Sequence, residues 1–267
     1  MIDLRITRRT FAKLAVALGL GRAAQPDPGR VRMLVLGDWG MDTPHRAAIA
    51  KAMREAHRRQ PFEAILTLGD NFYPRGVPVR RFVEELPELR FYPTFGNHDI
   101  TELDRQFALF GVNRPQYTVR RGALEVFVVY SEAFTYAQRD WLEAALAASS
   151  ATWKVVSLHR PIYSSNLYGG FRGVRRLILP LLQTYRVDLV LAGHDHCYER
   201  LEVGGVTYVI SGGGGATIRN FFWTKEGSRV REAVPNFLSL EAAETGMQVT
   251  AFNERNEILD QRVWQKG

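Results

Sequence analysis

The chain has 267 residues, enough for one large α/β domain, and its 46% apolar and 24% charged content excludes a disordered or fibrous protein. The formal net charge is +7, but the first 24 residues hold five cations against one carboxylate. The remainder is only mildly basic, and no nucleic-acid partner is expected. Cys197 is the single cysteine, so an intramolecular disulfide is excluded.

The N-terminal segment comes first in chain order. Thr7-Arg8-Arg9-Thr10-Phe11-Ala12-Lys13 precedes an apolar run from Leu14 to Gly21 and the small residues Ala23 and Ala24. A charged start, apolar middle and small-residue end predict a signal peptide over residues 1–24. The apolar run falls far short of the ~20 residues that span a bilayer. The paired arginines followed by Phe and Lys resemble a bacterial twin-arginine export signal. That resemblance implies passage through the twin-arginine machinery and a periplasmic or secreted location. Residues 25–30, with Pro26, Pro28 and Gly29, read as a linker, and the domain is expected over 31–267.

Val31–Leu36 is a Val- and Leu-rich run suited to a buried strand. Thr43–Gln60 has helical spacing, with Thr43 as N-cap and Pro44 in the first turn. Ala64–Leu68 and Phe91–Phe95 predict further strands, as do Leu124–Tyr130, Trp153–Leu158 and Val187–Leu191. Helices are expected at Tyr136–Ala148 and Val174–Tyr185. Beyond residue 199, strand-like segments at 206–211, 247–252 and 258–263 follow without long helices, as in an antiparallel sheet. Asp38, Asp70, Asn97, His159 and His194 each fall just after a predicted strand. Ligands of open α/β sheets bind at the carboxyl ends of strands, so these residues are expected on one rim.

Four segments share a form: a buried strand, a glycine, then a metal-capable side chain. They are Gly37-Asp38-Trp39-Gly40, Gly69-Asp70-Asn71-Phe72-Tyr73, Gly96-Asn97-His98-Asp99 and Gly193-His194-Asp195-His196. Ser157-Leu158-His159 ends a strand in histidine without the glycine. A lone Gly-Asp is usually a turn and a lone His usually packing or surface; all five in one chain point to a metal site. His45 and His57 lie on a predicted helix and read as solvated, and Arg75, Arg172, Arg175 and Arg176 read as surface charge in or near rim loops. Gly212–Gly215 lacks a following Lys-Ser/Thr, so it reads as a tight loop and not a phosphate loop. No Gly-x-Ser-x-Gly elbow is present, which argues against a serine hydrolase.

These motifs resemble the calcineurin-like metallophosphoesterases, and among them the purple acid phosphatases of the small tartrate-resistant type. The resemblance runs from about Val31 to Gly215, and Tyr73 within Gly69-Asp70-Asn71-Phe72-Tyr73 is its most specific element. It implies a four-layer α/β/β/α sandwich, with two facing mixed β-sheets flanked by helices. It also implies that Asp38, Tyr73 and His196 hold one metal, Asn97, His159 and His194 a second, and that Asp70 bridges them. Three anionic ligands including a tyrosine phenolate suit iron(III) at the first position. The mixed set at the second suits zinc, iron(II) or manganese.

The implied reaction is hydrolysis of phosphomonoesters by metal-bound hydroxide. His98 is implied to contact substrate or to assist the leaving group as the catalytic acid. Many relatives carry a histidine where this chain has Tyr168, which departs from their pattern. Two other functions fit the same residues. One is a phosphodiesterase or nucleotide-cleaving enzyme, and the other a non-hydrolytic iron-binding redox protein.

Overall fold

The computed structural model describes residues 29–167 and 169–266. The signal segment 1–24, the linker as far as residue 28, and Tyr168 lie outside the described residues.

Two sheets form. The first has the strand order β13-β12-β11-β1-β2-β3, built from β1 (Val31–Leu36), β2 (Ala64–Leu68), β3 (Arg90–Thr94), β11 (Asn236–Ala242), β12 (Gly246–Asn253) and β13 (Ile258–Gln265). The second has the order β10-β8-β9-β7-β6-β5-β4. Its strands are β4 (Tyr117–Arg121), β5 (Leu124–Val128), β6 (Trp153–Leu158), β7 (Leu189–Ala192), β8 (Tyr198–Val203), β9 (Val206–Ser211) and β10 (Ser228–Glu232). Parallel pairing joins β1, β2 and β3 in one sheet and β5, β6, β7 and β9 in the other. The remaining pairs are antiparallel.

Alternation along the strands creates the layers. In β1, Val31, Met33 and Val35 face Val126, Val128, Val155 and Leu191 of the opposite sheet, forming the central core. Leu34 and Leu36 point outward instead, against Ile49 and Met53 of α1 (Pro44–Arg59). The second sheet does the same. Phe127, Val156 and Val190 face outward onto Leu142 and Leu146 of α4 (Tyr136–Ala148) and Ile178 and Leu182 of α5 (Arg172–Thr184). Each such Leu or Ile contributes about 1.5–3 kcal/mol when fully buried. Two short helices, α2 (Arg80–Glu84) and α3 (Leu103–Phe110), complete the first sheet's outer side. The result is the α/β/β/α sandwich that the resemblance implies.

Thr43 caps α1 by accepting from the Arg46 N–H at 3.2 Å, with Pro44 at its start, as the sequence predicts. The expected antiparallel C-terminal region needs correction. β12 and β13 do pair antiparallel, but β9 joins the other sheet and runs parallel to β7. Arg172, Arg175 and Arg176 lie in the first turns of α5.

Candidate metal centre

Five strands end on one rim. β1 delivers Asp38, β2 delivers Asp70 and Tyr73, and β3 delivers Asn97 and His98. From the opposite sheet, β6 delivers His159 and β7 delivers His194 and His196. The turns that follow are tight enough to strain the chain. Asp38, Asp70 and His194 adopt left-handed backbone at φ 54°, 50° and 67°. Such conformations cost about 1–3 kcal/mol for non-glycine residues and persist only where the surroundings over-determine them. Gly69 at φ 90° leaves the room that His159 occupies, since a Cβ there would lie 2.5 Å from His159 Nδ1.

Two groups of acceptors result. In the first, Tyr73 Oη lies 3.1 Å from Asp38 Oδ1, 3.0 Å from Asp70 Oδ2 and 3.2 Å from His196 Nε2. His196 Nδ1 faces the Thr217 carbonyl at 2.8 Å, so its proton sits there and Nε2 presents a lone pair. One phenolic proton therefore faces three acceptors. Burial, then the Asp38 and Asp70 charges, push the Tyr73 phenol far above its ordinary pKa. Only a cation lets it ionise.

In the second group, His159 Nε2 lies 3.2 Å from Asn97 Oδ1, 3.4 Å from Asp70 Oδ1 and 3.2 Å from His194 Nδ1. His159 Nδ1 is committed to the Leu68 carbonyl at 2.8 Å. Burial opposes charge on His159, but the Asp70 carboxylate outweighs it and raises the pKa to about 10. Burial and then the neighbouring His159 hold His194 down to about 2, so its ring is neutral. Asp70, His159 and His194 form a group with ligand atoms within 4.8 Å of one another. Carboxylate, phenol, amide and imidazole groups gathered this closely fit cations once Tyr73 and His159 give up their protons. Asp70 is common to both groups and offers one oxygen to each.

His98 stands beside them, half-buried. Its backbone N–H donates to Asp70 Oδ1 at 2.9 Å, its Nδ1 lies 2.6 Å from the Pro74 carbonyl, and its Nε2 lies 3.9 Å from Asp70 Oδ2. With Nδ1 donating to Pro74, Nε2 faces the site.

All eight residues singled out from sequence come together. Others were missed. Asp99 is fully buried and accepts from the Gly96, Asn71 and Phe72 N–H groups at 2.8, 3.0 and 3.3 Å and from Gln106 Nε2 at 2.8 Å. It locks the Asp70 turn to the Asn97 turn. Its place in Gly96-Asn97-His98-Asp99 was visible, but its role depends on a Gln seven residues later. Arg219 lines the cavity above the cluster with Tyr73, His98 and His196, and its N–H donates to the His196 carbonyl at 3.0 Å. No spacing signal marks it. The glycine run supports the same region: the Gly214 and Ala216 N–H groups donate to the Gly37 and Asp38 carbonyls at 2.9 and 2.8 Å.

A model of the calcineurin-like phosphoesterase family matches residues 31–198. The chain is 26% identical to purple acid phosphatase 4 of Arabidopsis thaliana, over 79% of this chain and 76% of that protein. It is 28% identical to the mouse (Mus musculus) tartrate-resistant acid phosphatase type 5, over 73% of this chain and 75% of that protein. Its fold is similar to that of a purple acid phosphatase from yellow lupin (Lupinus luteus) seeds, with a TM-score of 0.79 at 19% identity, covering 91% of this chain and 55% of that one. The matched segment runs from β1 through the histidines that follow β7, and so contains every strand end that builds the rim. The chain belongs to the calcineurin-like phosphoesterase family.

Proposed function

We propose that the protein is a binuclear-metal phosphatase that hydrolyses phosphomonoesters. The observation that carries this reading is Asp70, whose Oδ2 lies 3.0 Å from Tyr73 Oη while its Oδ1 lies 3.4 Å from His159 Nε2. Asp38, Tyr73 and His196 would hold one ion and Asn97, His159 and His194 the other, with one Asp70 oxygen turned to each group. Iron(III) suits the phenolate-bearing set, and zinc, iron(II) or manganese the second. When bound, such ions supply an activated water and neutralise charge on the phosphoryl oxygens.

The chain's own residues do the rest. The water oxygen joins phosphorus as the bond to the ester oxygen breaks, and the departing oxygen takes a proton. His98 Nε2 faces the site and supplies that proton, a contribution of ~10²–10⁴-fold for a positioned acid. Likeness to acid phosphatases supports monoesters over diesters. The arginine pair at Arg8 and Arg9 supports a location outside the cytoplasm.

The test is hydrolysis of phenyl phosphate against diphenyl phosphate by purified, metal-analysed protein. Monoester hydrolysis should dominate. Dominant diester cleavage would overturn the substrate class. Full metal loading without hydrolysis would favour a redox protein.

A further inference from the structure

A cleft of about 410 Å³ opens away from the metal centre, between β3 and β4, each the outermost strand of its sheet. Two bonds tie the strands together there. Tyr117 Oη donates to the Pro93 carbonyl at 2.8 Å, and Arg121 Nη2 donates to Tyr92 Oη. Arg90 begins β3, whose other end leads to Asn97 in the metal centre. Arg121 pairs with Leu124, the first residue of β5. Arg90 and Arg121 therefore stand at the opposite end of the strands from the rim that carries the metal ligands.

Three guanidinium groups line this cleft, those of Arg90, Arg120 and Arg121. Arg120 approaches Glu125 at 3.4 Å. Arg90 and Arg121 meet no carboxylate among the described residues. Arg90 donates to the Gly111 carbonyl at 3.1 Å, and Arg121 donates to the Arg120 carbonyl at 3.2 Å and to the Tyr92 hydroxyl. The two guanidinium carbons lie near one ring, 6.0 and 5.6 Å from the centre of Tyr92.

Backbone carbonyls and a phenol orient these cations without neutralising them. Elsewhere the protein answers such charge with a carboxylate: Arg32 meets Glu241, Arg160 meets Glu132 and Arg200 meets Asp260. A charge on an edge strand discourages pairing with another chain. That purpose does not call for two cations from different sheets to converge on one tyrosine, where they repel each other. Convergence becomes favourable once an anion stands between them. Side chains already held by hydrogen bonds lose little freedom when it binds. Arg90 commits one N–H donor and Arg121 two, so both keep donors for a tetrahedral oxyanion.

We propose that this cleft is a second anion site, remote from the metal centre, that binds a phosphate group through Arg90 and Arg121. The group is either free phosphate, which the hydrolysis proposed above releases, or the phosphomonoester headgroup of a lipid surface. The site shares no residue with the metal centre and stands independently of the phosphatase reading.

The test is an amide NMR titration of the zinc-loaded protein, wild type and Arg90→Gln/Arg121→Gln, with inorganic phosphate at constant ionic strength. Both arginines are exposed, so the variant should unfold as cooperatively as wild type. In wild type the Thr118 and Val119 amides should shift saturably with phosphate and not with chloride. The variant should bind at least roughly tenfold more weakly at those amides. The Gly96 and Gly193 amides, beside the metals, should keep their midpoint within about twofold. No saturable shift at Val119 in wild type, an equal shift with chloride, or an unchanged midpoint in the variant would overturn the site. Cosedimentation with phosphatidylcholine vesicles carrying phosphatidic acid separates the two sources. Cosedimentation of wild type that the variant loses supports the site and assigns the headgroup. Saturable phosphate binding without cosedimentation supports the site and assigns the free ion. If Gly96 and Gly193 do not respond to phosphate, the metal-centre reading is weakened while Val119 still decides the cleft.

Discussion

His159 Nδ1 lies 2.8 Å from the Leu68 carbonyl, so the backbone of one sheet fixes the tautomer of a histidine carried by the other. Leu68 ends β2 and His159 follows β6. Two further bonds cross the same gap, Thr94 Oγ1 to Ser157 Oγ at 2.7 Å and the His194 N–H to Asp38 Oδ2 at 2.8 Å. The centre is thus assembled by sheet-on-sheet packing, and its geometry is sensitive to small changes at the seam.

Gly69→Ala tests that sensitivity. The added Cβ would lie 2.5 Å from His159 Nδ1 and the backbone would stay at φ 90°. We expect about 1–3 kcal/mol of destabilisation and a shifted His159. Metal analysis should give one ion per chain in place of two, while thermal unfolding remains cooperative. Two ions per chain in a folded Gly69→Ala protein would show that the seam tolerates the change.

Asp70→Asn should be far more damaging than Asn97→Ala. Asp70 offers an oxygen to each acceptor group, at 3.0 Å from Tyr73 Oη and 3.4 Å from His159 Nε2, whereas Asn97 reaches only the second. The first substitution should empty both positions and reduce turnover by more than about 10²-fold; the second should empty one. Equal metal content in the two variants would contradict a bridging carboxylate.

The rim was legible in the sequence because strand ends are. β1, β2 and β6 fall at their expected residues, and polar side chains directly after them must emerge at the sheet edge. Sheet partners were not legible. Val206–Ser211 reads the same whether it pairs with β8 alone or also with β7, because only the tertiary packing decides. β4, β8, β10 and β11 were missed for related reasons. Tyr117–Arg121, for instance, leaves Thr118, Arg120 and Arg121 exposed and buries only Val119. Residues that support the ligands, such as Asp99, or flank the cavity, such as Arg219, leave no periodic trace. Their partners are distant in sequence.

Tyr73→Phe removes the phenolate and leaves the ring, which lies 4.3 Å from the His98 ring. A visible phenolate-to-iron(III) absorption band should be present in the wild type and lost in the variant, read by absorption spectroscopy on iron-loaded protein. A colourless, iron-free but active wild type would exclude iron at that position and leave the phosphatase reading standing.

His98→Ala should separate chemistry from metal binding. The ring bonds the Pro74 carbonyl and does not approach the acceptor groups as closely as their members approach one another, with Nε2 3.9 Å from Asp70 Oδ2. Turnover should fall ~10²-fold or more with both ions retained. The loss should shrink for an ester with a more acidic alcohol, which needs less proton transfer on departure. Equal losses across esters would remove His98 from proton donation.

Removing the metals should make pH visible through His159. In the metal-free protein its pKa stands at about 10 against an ordinary value of 6.5, because the Asp70 charge outweighs burial. A raised pKa means that the folded state holds the proton more tightly than the unfolded chain. The resulting stability is fully present below pH 6.5 and is lost as pH rises toward about 10. The same proton must leave before a metal can use Nε2. Zinc affinity for metal-free Tyr73→Phe protein, which has no phenolic proton to lose, should therefore rise about tenfold per pH unit across this window, with one proton released from His159. Calorimetric zinc titrations at about pH 6 and about pH 8, in two buffers of different ionisation enthalpy, measure both quantities. Affinity that does not change with pH, with no proton released, would mean that His159 is already neutral beside Asp70.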